Sequence, residues 1–361
     1  MIEVDKSLQV VMIYILTHLG LIFFMYPSNI IDSTEEGHWI PIFISVIFHL
    51  IIVLLYLKGL SLFPGKNIMT IYSLGGKGFL LFFLLPVFLY FIMATIITVR
   101  AYSEIITIIF LANTPLWAIL ALFLALPCYL AVKGLKAILR TGLVISFLFL
   151  PLVFFILVTS FQNADFYYVF PLWNNDFSFI KELSYLKSFF AIGGGFLFLG
   201  FIQPTISFQS KKILIAIAVI IPCFVLSVYI PILTFGQATA STFLFPFVLA
   251  LDAINISWLM FDRVTLFFLL SLITFIMLYI SLVLWKAASI VTHSFSFLKP
   301  TYILLILSIL IYIICLFIPN WSDVETLFKW NTFLRFYVLI TVPLSIYLLG
   351  LFFKPEGSGT C

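Results

Sequence analysis

The chain has 361 residues, of which 64% are hydrophobic and only 9% charged. Soluble domains carry about 25% charged residues, so this composition excludes an ordinary water-soluble domain and indicates a membrane protein. The formal net charge of +4 comes from 18 basic and 14 acidic residues. No run of Lys and Arg with interleaved aromatic residues points to nucleic-acid binding.

Ten apolar stretches follow one another along the sequence. About 20 apolar helical residues cross the ~30 Å hydrocarbon layer of a bilayer, and backbone groups in lipid must pair within the segment. The sequence therefore predicts an all-α polytopic membrane protein, with a single integral membrane domain over residues 1–361. The first stretch is too long for a signal-peptide core, so we expect it to be retained. The predicted spans are 8–31, 39–58, 78–99, 115–133, 140–160, 188–207, 212–235, 263–285, 301–319 and 332–353.

The connections between these spans differ in their basic residues. Twelve Lys and Arg residues fall in one alternating set of connections and five in the other. Because cytoplasmic loops are enriched in Lys and Arg, this bias predicts that both termini are cytoplasmic. The larger set is Lys6, Lys58, Lys66, Lys77, Lys133, Lys136, Arg140, Lys211, Lys212, Lys286, Lys299 and Lys354, and the smaller set is Lys181, Lys187, Arg263, Lys329 and Arg335.

The first span carries helix-breaking residues near its middle. Thr17, His18 and Gly20 lie there, and Pro27 follows. In a helix interior, Gly costs about 1 kcal/mol and Pro about 3 kcal/mol relative to Ala. A break over Thr17–Gly20 would free backbone groups to coordinate an ion or a carboxylate. The alternative is a glycine that packs tightly against another helix, with a proline that only kinks the span.

The sixth span contains three consecutive glycines, Gly193, Gly194 and Gly195, followed by Gly200 and Pro204. Consecutive glycines favour an unwound segment where a ligand can approach the backbone, although a small-residue contact face is the alternative. Breaks in the first span of each half are typical of inverted-repeat carriers with a site at the midplane. The sequence thus predicts a 5+5 inverted repeat with halves at about 8–160 and 188–353.

A few other polar residues fall at mid-depth in the predicted spans. Tyr90 and Thr274 either line the same cavity or are core hydroxyls with satisfied hydrogen bonds. His18 lies beside the predicted first break and is a candidate ligand contact. His49 is interpreted as a hydrogen-bonded scaffold residue, with a proton carrier as the alternative.

Charged residues mark the outer ends of the spans. Arg100 and Glu104 lie one helical turn apart, which predicts an ion pair on one face. We interpret this pair as an outer gate of structural character rather than a direct substrate contact. Asp262, Arg263 and Arg335 are also predicted to lie near the outer face.

Two outer connections are long enough to cover the mouth of the bundle. Residues 161–187 and 236–262 are both candidates for a lid or a partner-docking segment. The second connection has amphipathic character and predicts a short helix.

Motifs of enzymes are missing from the sequence. There is no nucleotide-binding loop, no paired-histidine metal motif and no nucleophile elbow, so we expect no enzyme, no metal and no cofactor. Cys128, Cys223 and Cys315 lie inside apolar spans without metal or redox spacing and are interpreted as packed thiols.

Over essentially its whole length the chain resembles the B subunits of bacterial spore germinant receptors, a branch of the amino acid–polyamine–organocation transporter superfamily. The order and spacing of several features carry this resemblance. They are Gln9, Gly20 with Pro27, Gly37-His38-Trp39-Ile40-Pro41, the stretch from Arg100 to Glu104, Thr114-Pro115, the glycine cluster with Pro204, and the stretch from Phe245-Pro246 to Arg263.

The resemblance implies a ten-helix, leucine-transporter-like fold with helices 1 and 6 broken. It also implies a sensor of a small germinant, typically an amino acid, in the inner membrane of the dormant endospore, together with A and C partner subunits. Two positions depart from the family pattern. Ile22 replaces a second small residue, and Gly195 with Phe196 stand where a polar residue often follows, which implies a smaller or more apolar pocket.

Three functions remain open from the sequence: a germinant-binding receptor subunit, an active secondary amino acid transporter, and a scaffold subunit that binds no ligand. For either binding function the candidate contacts share a position near a predicted break or at mid-depth. They are Thr17, His18, Gly20, Tyr90, Gly193, Gly194, Gly195 and Thr274.

Overall fold

A computed structural model describes residues 6–109, 111–173, 177–193, 195–254, 264–295 and 297–353. Every regular element within these ranges is helical, as expected for apolar segments whose backbone groups must pair internally. The α-helices are α1 (Lys6–Ile22), α2 (Met25–Ile31), α3 (Trp39–Ser61), α4 (Ile68–Ser73), α5 (Lys77–Ile109), α6 (Leu116–Lys133), α7 (Leu135–Thr159), α8 (Leu183–Ser188), α9 (Phe190–Gly193), α10 (Ser210–Phe235), α11 (Gln237–Ala240), α12 (Pro246–Asp252), α13 (Val264–Ser294), α14 (Pro300–Leu316) and α15 (Trp321–Phe352). Short 3-10 turns are Ser160–Asn163, Phe166–Val169, Ser178–Lys181 and Phe196–Gly200.

Ten helical segments of the described chain correspond in order to the ten predicted spans. Eight are long and apolar enough to cross a membrane, and one of these is the interrupted segment Leu183–Gly200. The pair α1 and α2, bent by 53°, forms a ninth. Helix α14 has 17 residues, the lower limit for crossing the hydrocarbon layer, and matches the predicted span 301–319.

Several helices extend beyond their predicted ends. Helix α15 begins at Trp321 instead of residue 332, because Asn320 caps it by accepting a hydrogen bond from the amide of Asp323 at 3.1 Å. Helix α13 continues to Ser294. Consequently the prediction that Lys286 lies in an inner connection is wrong, since this side chain is fully buried inside α13.

Helix α13 lies at the centre of the bundle. It packs against α1, α5, α6, α7 and α14, while α15 packs against α3 and α5. Residues that face away from this core are strongly apolar: Val144, Phe147 and Phe154 of α7 are 67–71% exposed. Apolar surface of this extent is unfavourable in water and marks the face toward the hydrocarbon. The chain is therefore an integral membrane protein.

The predicted amphipathic connection 236–262 contains the short helices α11 and α12. Gln237 ties α11 to the end of α2, because its side-chain amide donates to the carbonyl oxygens of Ile31 at 3.0 Å and Thr34 at 3.2 Å. Asp262 and Arg263, predicted at the outer face, lie outside the described residues.

Candidate functional site

The first break, defined here as Phe23 and Phe24 between α1 and α2, lies later in the chain than predicted. Thr17, His18 and Gly20 are all helical residues of α1, so the predicted break over Thr17–Gly20 is wrong in position. The interruption follows from Pro27, which has no amide hydrogen to donate to the carbonyl of residue 23. Pro27 itself fits in the first turn of α2, where such a bond is not required.

Gly20 allows α1 to approach the central helix. A Cβ atom at this position would lie 3.1 Å from Ile276 and 3.2 Å from Phe275 of α13. The interruption at Phe24 also frees the carbonyl oxygen of Gly20, which accepts a hydrogen bond from the hydroxyl of Tyr102. Gly20 is therefore a residue of close helix packing, which was the alternative interpretation of the sequence. Its freed carbonyl oxygen is already bonded to Tyr102.

The second break comprises residues 190–200, described apart from Gly194, and it confirms the predicted interruption of the sixth span. Helix α9 ends at Gly193, and the 3-10 turn Phe196–Gly200 follows Gly195. Tyr56 supports this turn by donating from its hydroxyl to the carbonyl oxygen of Leu197 at 3.0 Å. No α-helix resumes in the described chain before α10 begins at Ser210. The glycines thus interrupt the helix at the depth where α1, α3, α5 and α15 surround it.

A histidine cluster, formed by Tyr14, His18 and His49, lies on one side of the second break. The hydroxyl of Tyr14 is 2.7 Å from Nε2 of His49, and Nδ1 of His18 is 2.7 Å from the carbonyl oxygen of Tyr14. The two imidazole rings meet edge to face at 5.3 Å between centroids. A Cβ atom at Gly195 would overlap the ring of His18, so only glycine fits there.

Two nitrogen atoms of the histidine cluster have no hydrogen-bond partner among the described residues. They are Nε2 of His18 and Nδ1 of His49, and both side chains are almost completely buried. Buried polar atoms normally have partners, so such atoms beside an unwound backbone are candidate ligand contacts. His49 is therefore hydrogen-bonded, as expected for a scaffold residue, and it also belongs to a cluster that the sequence did not predict.

An arginine cluster, formed by Tyr90, Tyr279, Asn331 and Arg335, lies on the other side of the second break. A Cβ atom at Gly193 would be 3.2 Å from the hydroxyl of Tyr90 and 3.3 Å from Cδ of Arg335. Arg335 was predicted near the outer face, but it is fully buried, several turns along α15. Because α15 begins at Trp321 and not at residue 332, Arg335 lies well inside the helix and not at its first turn. The i, i+4 spacing of Asn331 and Arg335 in an apolar segment is the signal that the sequence offered.

The structure brings some predicted contacts together and separates others. His18, Tyr90, Gly193 and Gly195 line the second break, whereas Gly194 lies outside the described residues. The hydroxyl of Thr17 donates to Ile13 of its own helix at 2.8 Å. Thr274 is only half-buried, and its hydroxyl donates to Leu270 of α13 at 2.7 Å. Both threonines thus have satisfied hydroxyls.

The predicted ion pair between Arg100 and Glu104 is present near the C-terminal end of α5. Arg100 is buried, and its Nε donates to the carbonyl oxygen of Ile318, just beyond α14, at 3.1 Å. The pair therefore connects α5 with the end of α14. A second ion pair joins α8 to α15, where Nζ of Lys187 lies 4.0 Å from the carboxylate of Glu325.

The second break can recognise a ligand through hydrogen bonds. It offers unpaired donors and acceptors on either side of an interrupted backbone, enclosed by aromatic rings. Within the described ranges, no three His, Cys, Asp or Glu side chains gather into a group that could hold a metal ion.

Comparisons with known proteins agree with this architecture. A family model described as "Spore germination protein" matches residues 5–324. Spore germination protein B2 of Bacillus subtilis (strain 168) is 24% identical over 341 residues, which is 92% of this chain and 91% of that protein.

Among solved structures, the crystal structure of MhsT in complex with L-phenylalanine superposes with a TM-score of 0.59 at 11% identity. The match covers 94% of this chain and 97% of that chain. At this identity the likeness concerns the fold, and it confirms the expected leucine-transporter-like fold with interrupted helices 1 and 6. By the extent of the family match, the chain belongs to the spore germination protein family.

Proposed function

We propose that this chain is a germinant-sensing subunit that binds an amino acid at the second break. The observation that carries the proposal is the unwound segment itself, which lies between two buried polar clusters with unpaired hydrogen-bonding atoms. The contacts of the ligand are His18, Tyr90, Gly193 and Gly195, with Gly194 between the two described glycines.

The remaining predicted contacts have smaller parts in this proposal. Thr17, Gly20 and Thr274 contribute to the packing of their helices rather than to ligand contacts, since their polar groups are already bonded within the protein. Arg100 and Glu104 act as an outer gate that holds α5 against α14. The chain works without a cofactor and without enzymatic activity.

The cellular setting also belongs to the proposal. The distribution of Lys and Arg supports cytoplasmic termini, and the family supports a place in the inner membrane of the endospore with A and C partner subunits. Among the basic residues counted for this topology, the structure places Lys286 of the larger set and Arg335 of the smaller set inside the bundle. The bias toward the cytoplasmic set remains without them.

A second candidate function is active secondary transport of an amino acid. The observation in its favour is the likeness of the whole fold to MhsT, which was solved with bound L-phenylalanine. Both functions need the same binding site at the second break and differ in whether this site opens alternately to the two sides of the membrane.

Uptake of labelled amino acids into proteoliposomes that hold the purified full-length chain distinguishes these functions. We expect saturable binding without accumulation, with or without a proton gradient. Gradient-driven accumulation would replace the receptor function by transport. Folded protein that neither binds nor accumulates any amino acid would leave only a scaffold role.

A matched pair of glycine variants tests the position of the site. Gly193→Leu places a side chain where Tyr90 and Arg335 approach each other, so we expect it to abolish amino-acid binding. Gly78→Leu is the control, because a side chain at Gly78 meets no atom within 4 Å. Equal binding by both variants would place the amino acid elsewhere.

A further inference from the structure

Arg335 is a fully buried cation whose hydrogen bonds all go to neutral groups. Its Nη1 donates to the carbonyl oxygens of Lys187 at 3.0 Å and Leu186 at 3.4 Å, and Nη2 donates to Oδ1 of Asn331 at 2.9 Å. The guanidinium carbon lies 5.0 Å from the ring centre of Phe190 and 5.1 Å from that of Phe328. These contacts fix the orientation of the guanidinium without neutralising its charge.

No carboxylate of the described residues compensates this charge. The carboxylates of Glu104 and Glu325 already pair with other cations, Arg100 and Lys187 respectively. Two neighbouring ionisable side chains are the phenols of Tyr90 and Tyr279, and neither is a carboxylate. A buried charge without a counter-charge is strongly unfavourable, so the folded protein gains stability from any anion that binds here.

Lys286 provides a useful contrast inside the same bundle. It is also fully buried, and among the described residues it has no hydrogen-bond partner; its ammonium lies 4.1 Å from the ring centre of Phe91. A buried lysine can lose its proton and become neutral, whereas the guanidinium of arginine stays charged in proteins. Of these two buried cations, Arg335 is therefore the one that stays charged and is stabilised by a bound anion at any pH.

Unpaired donors accompany the guanidinium. Nε of Arg335, the hydroxyl of Tyr90 and Nδ2 of Asn331 have no partner within the described chain. Gly193 lies beside both Tyr90 and Arg335, so no side chain at this position separates either group from the backbone of the second break. A surplus of donors around a fixed positive charge suits a small ion with several acceptor lone pairs.

We propose that Arg335 and Tyr90, with Asn331, form a binding site for a small monovalent anion at the second break. The anion is either free chloride or the carboxylate of a bound amino acid, and only the second source rests on the proposed function. In both cases the charge-assisted bonds come from Nε of Arg335 and from the hydroxyl of Tyr90. Gly193 is the position that keeps this site open.

Thermal unfolding of the purified full-length protein tests the site. The protein is equilibrated in sodium methanesulfonate and titrated with sodium chloride, with L-alanine and L-phenylalanine, and with the amides of the same two amino acids. We expect chloride or the amino acids to raise the unfolding midpoint in a saturable manner. The amides lack the carboxylate, and we expect them to have no effect.

Three variants and one control assign the response to residues. Arg335→Gln should abolish the shift, and Arg335→Lys should retain part of it. Tyr90→Phe removes only the unpaired hydroxyl and should weaken anion binding about tenfold or more, as expected for a hydrogen bond to a charged group. The control is Arg140→Gln, at an exposed arginine, which should respond like the wild type.

The outcomes separate the two sources and the two proposals. A response to chloride alone supports a halide site and removes support from amino-acid binding there. Competition between chloride and the amino acids supports one site for both. Responses to chloride and to the amino acids that both survive in Arg335→Gln and Tyr90→Phe overturn the anion site, while amino-acid binding, and with it the proposed function, remains. Loss of the chloride response alone in these variants supports free chloride as the occupant. A wild-type protein that responds to neither anion overturns the anion site, and Tyr90→Phe keeps the test valid if the arginine variants do not fold.

Discussion

The two helix breaks differ in whether the polar groups around them have hydrogen-bond partners within the protein. At the first break, the freed carbonyl oxygen of Gly20 accepts a hydrogen bond from Tyr102, and Gly20 itself packs against α13. At the second break, Tyr56 supports the backbone at Leu197, yet unpaired side-chain atoms remain on both sides of the segment. The comparison teaches that a glycine-and-proline break alone does not define a binding site. The deciding feature is whether the surrounding side chains leave hydrogen-bonding capacity unused.

The change with the largest expected effect is Gly195→Ala at the second break. The new methyl group would overlap the ring of His18, which must move, so we expect the free energy of unfolding to fall by about 3 kcal/mol. Amino-acid binding should weaken as well, because His18 leaves its position. Unfolding in detergent micelles and equilibrium binding measure the two effects.

The control for Gly195→Ala is Gly78→Ala, where the methyl group meets open space. There we expect a gain of up to about 1 kcal/mol, from the better helix propensity of alanine. Unchanged stability and binding in Gly195→Ala would show that the packing of His18 on the second break does not hold this site together.

Tyr102→Phe tests the first break and should have an intermediate effect. It leaves the carbonyl oxygen of Gly20 buried without a donor, which costs about 2 kcal/mol of unfolding free energy. Amino-acid affinity should stay within twofold of the wild type if the first break is scaffold. Tyr129→Phe is the control, because Tyr129 is 63% exposed and its stability change should be within about 0.5 kcal/mol. A large loss of affinity in Tyr102→Phe would move the ligand toward the first break.

Thr17→Val should have the smallest effect. The hydroxyl of Thr17 already donates to its own helix, so its replacement by a methyl group should change the unfolding free energy by less than about 1 kcal/mol. The same change at Thr98, which likewise donates to its own helix, gives the reference. We expect binding of labelled amino acids to be unaffected in both variants. Selective loss of binding in Thr17→Val would return Thr17 to the list of ligand contacts.

The sequence by itself determined the class of the protein, the order of its ten membrane segments and the presence of two interrupted helices. Apolar length decides whether a segment can cross a bilayer, and Gly and Pro act on the backbone within a few residues. The ion pair of Arg100 with Glu104 was also predictable, because both residues lie on one helix, four positions apart. These are local properties, which is why composition and spacing along the chain were sufficient.

Only the tertiary structure decided which polar residues meet. Tyr102 reaches Gly20 from another helix, and Tyr14, His18 and His49 gather from two helices into one cluster. Arg335 lies beside the second break because α15 starts early, at a cap that lies outside the apolar stretch. Contacts between distant segments depend on how the helices pack and rotate against one another, and no pattern along a single segment contains that information.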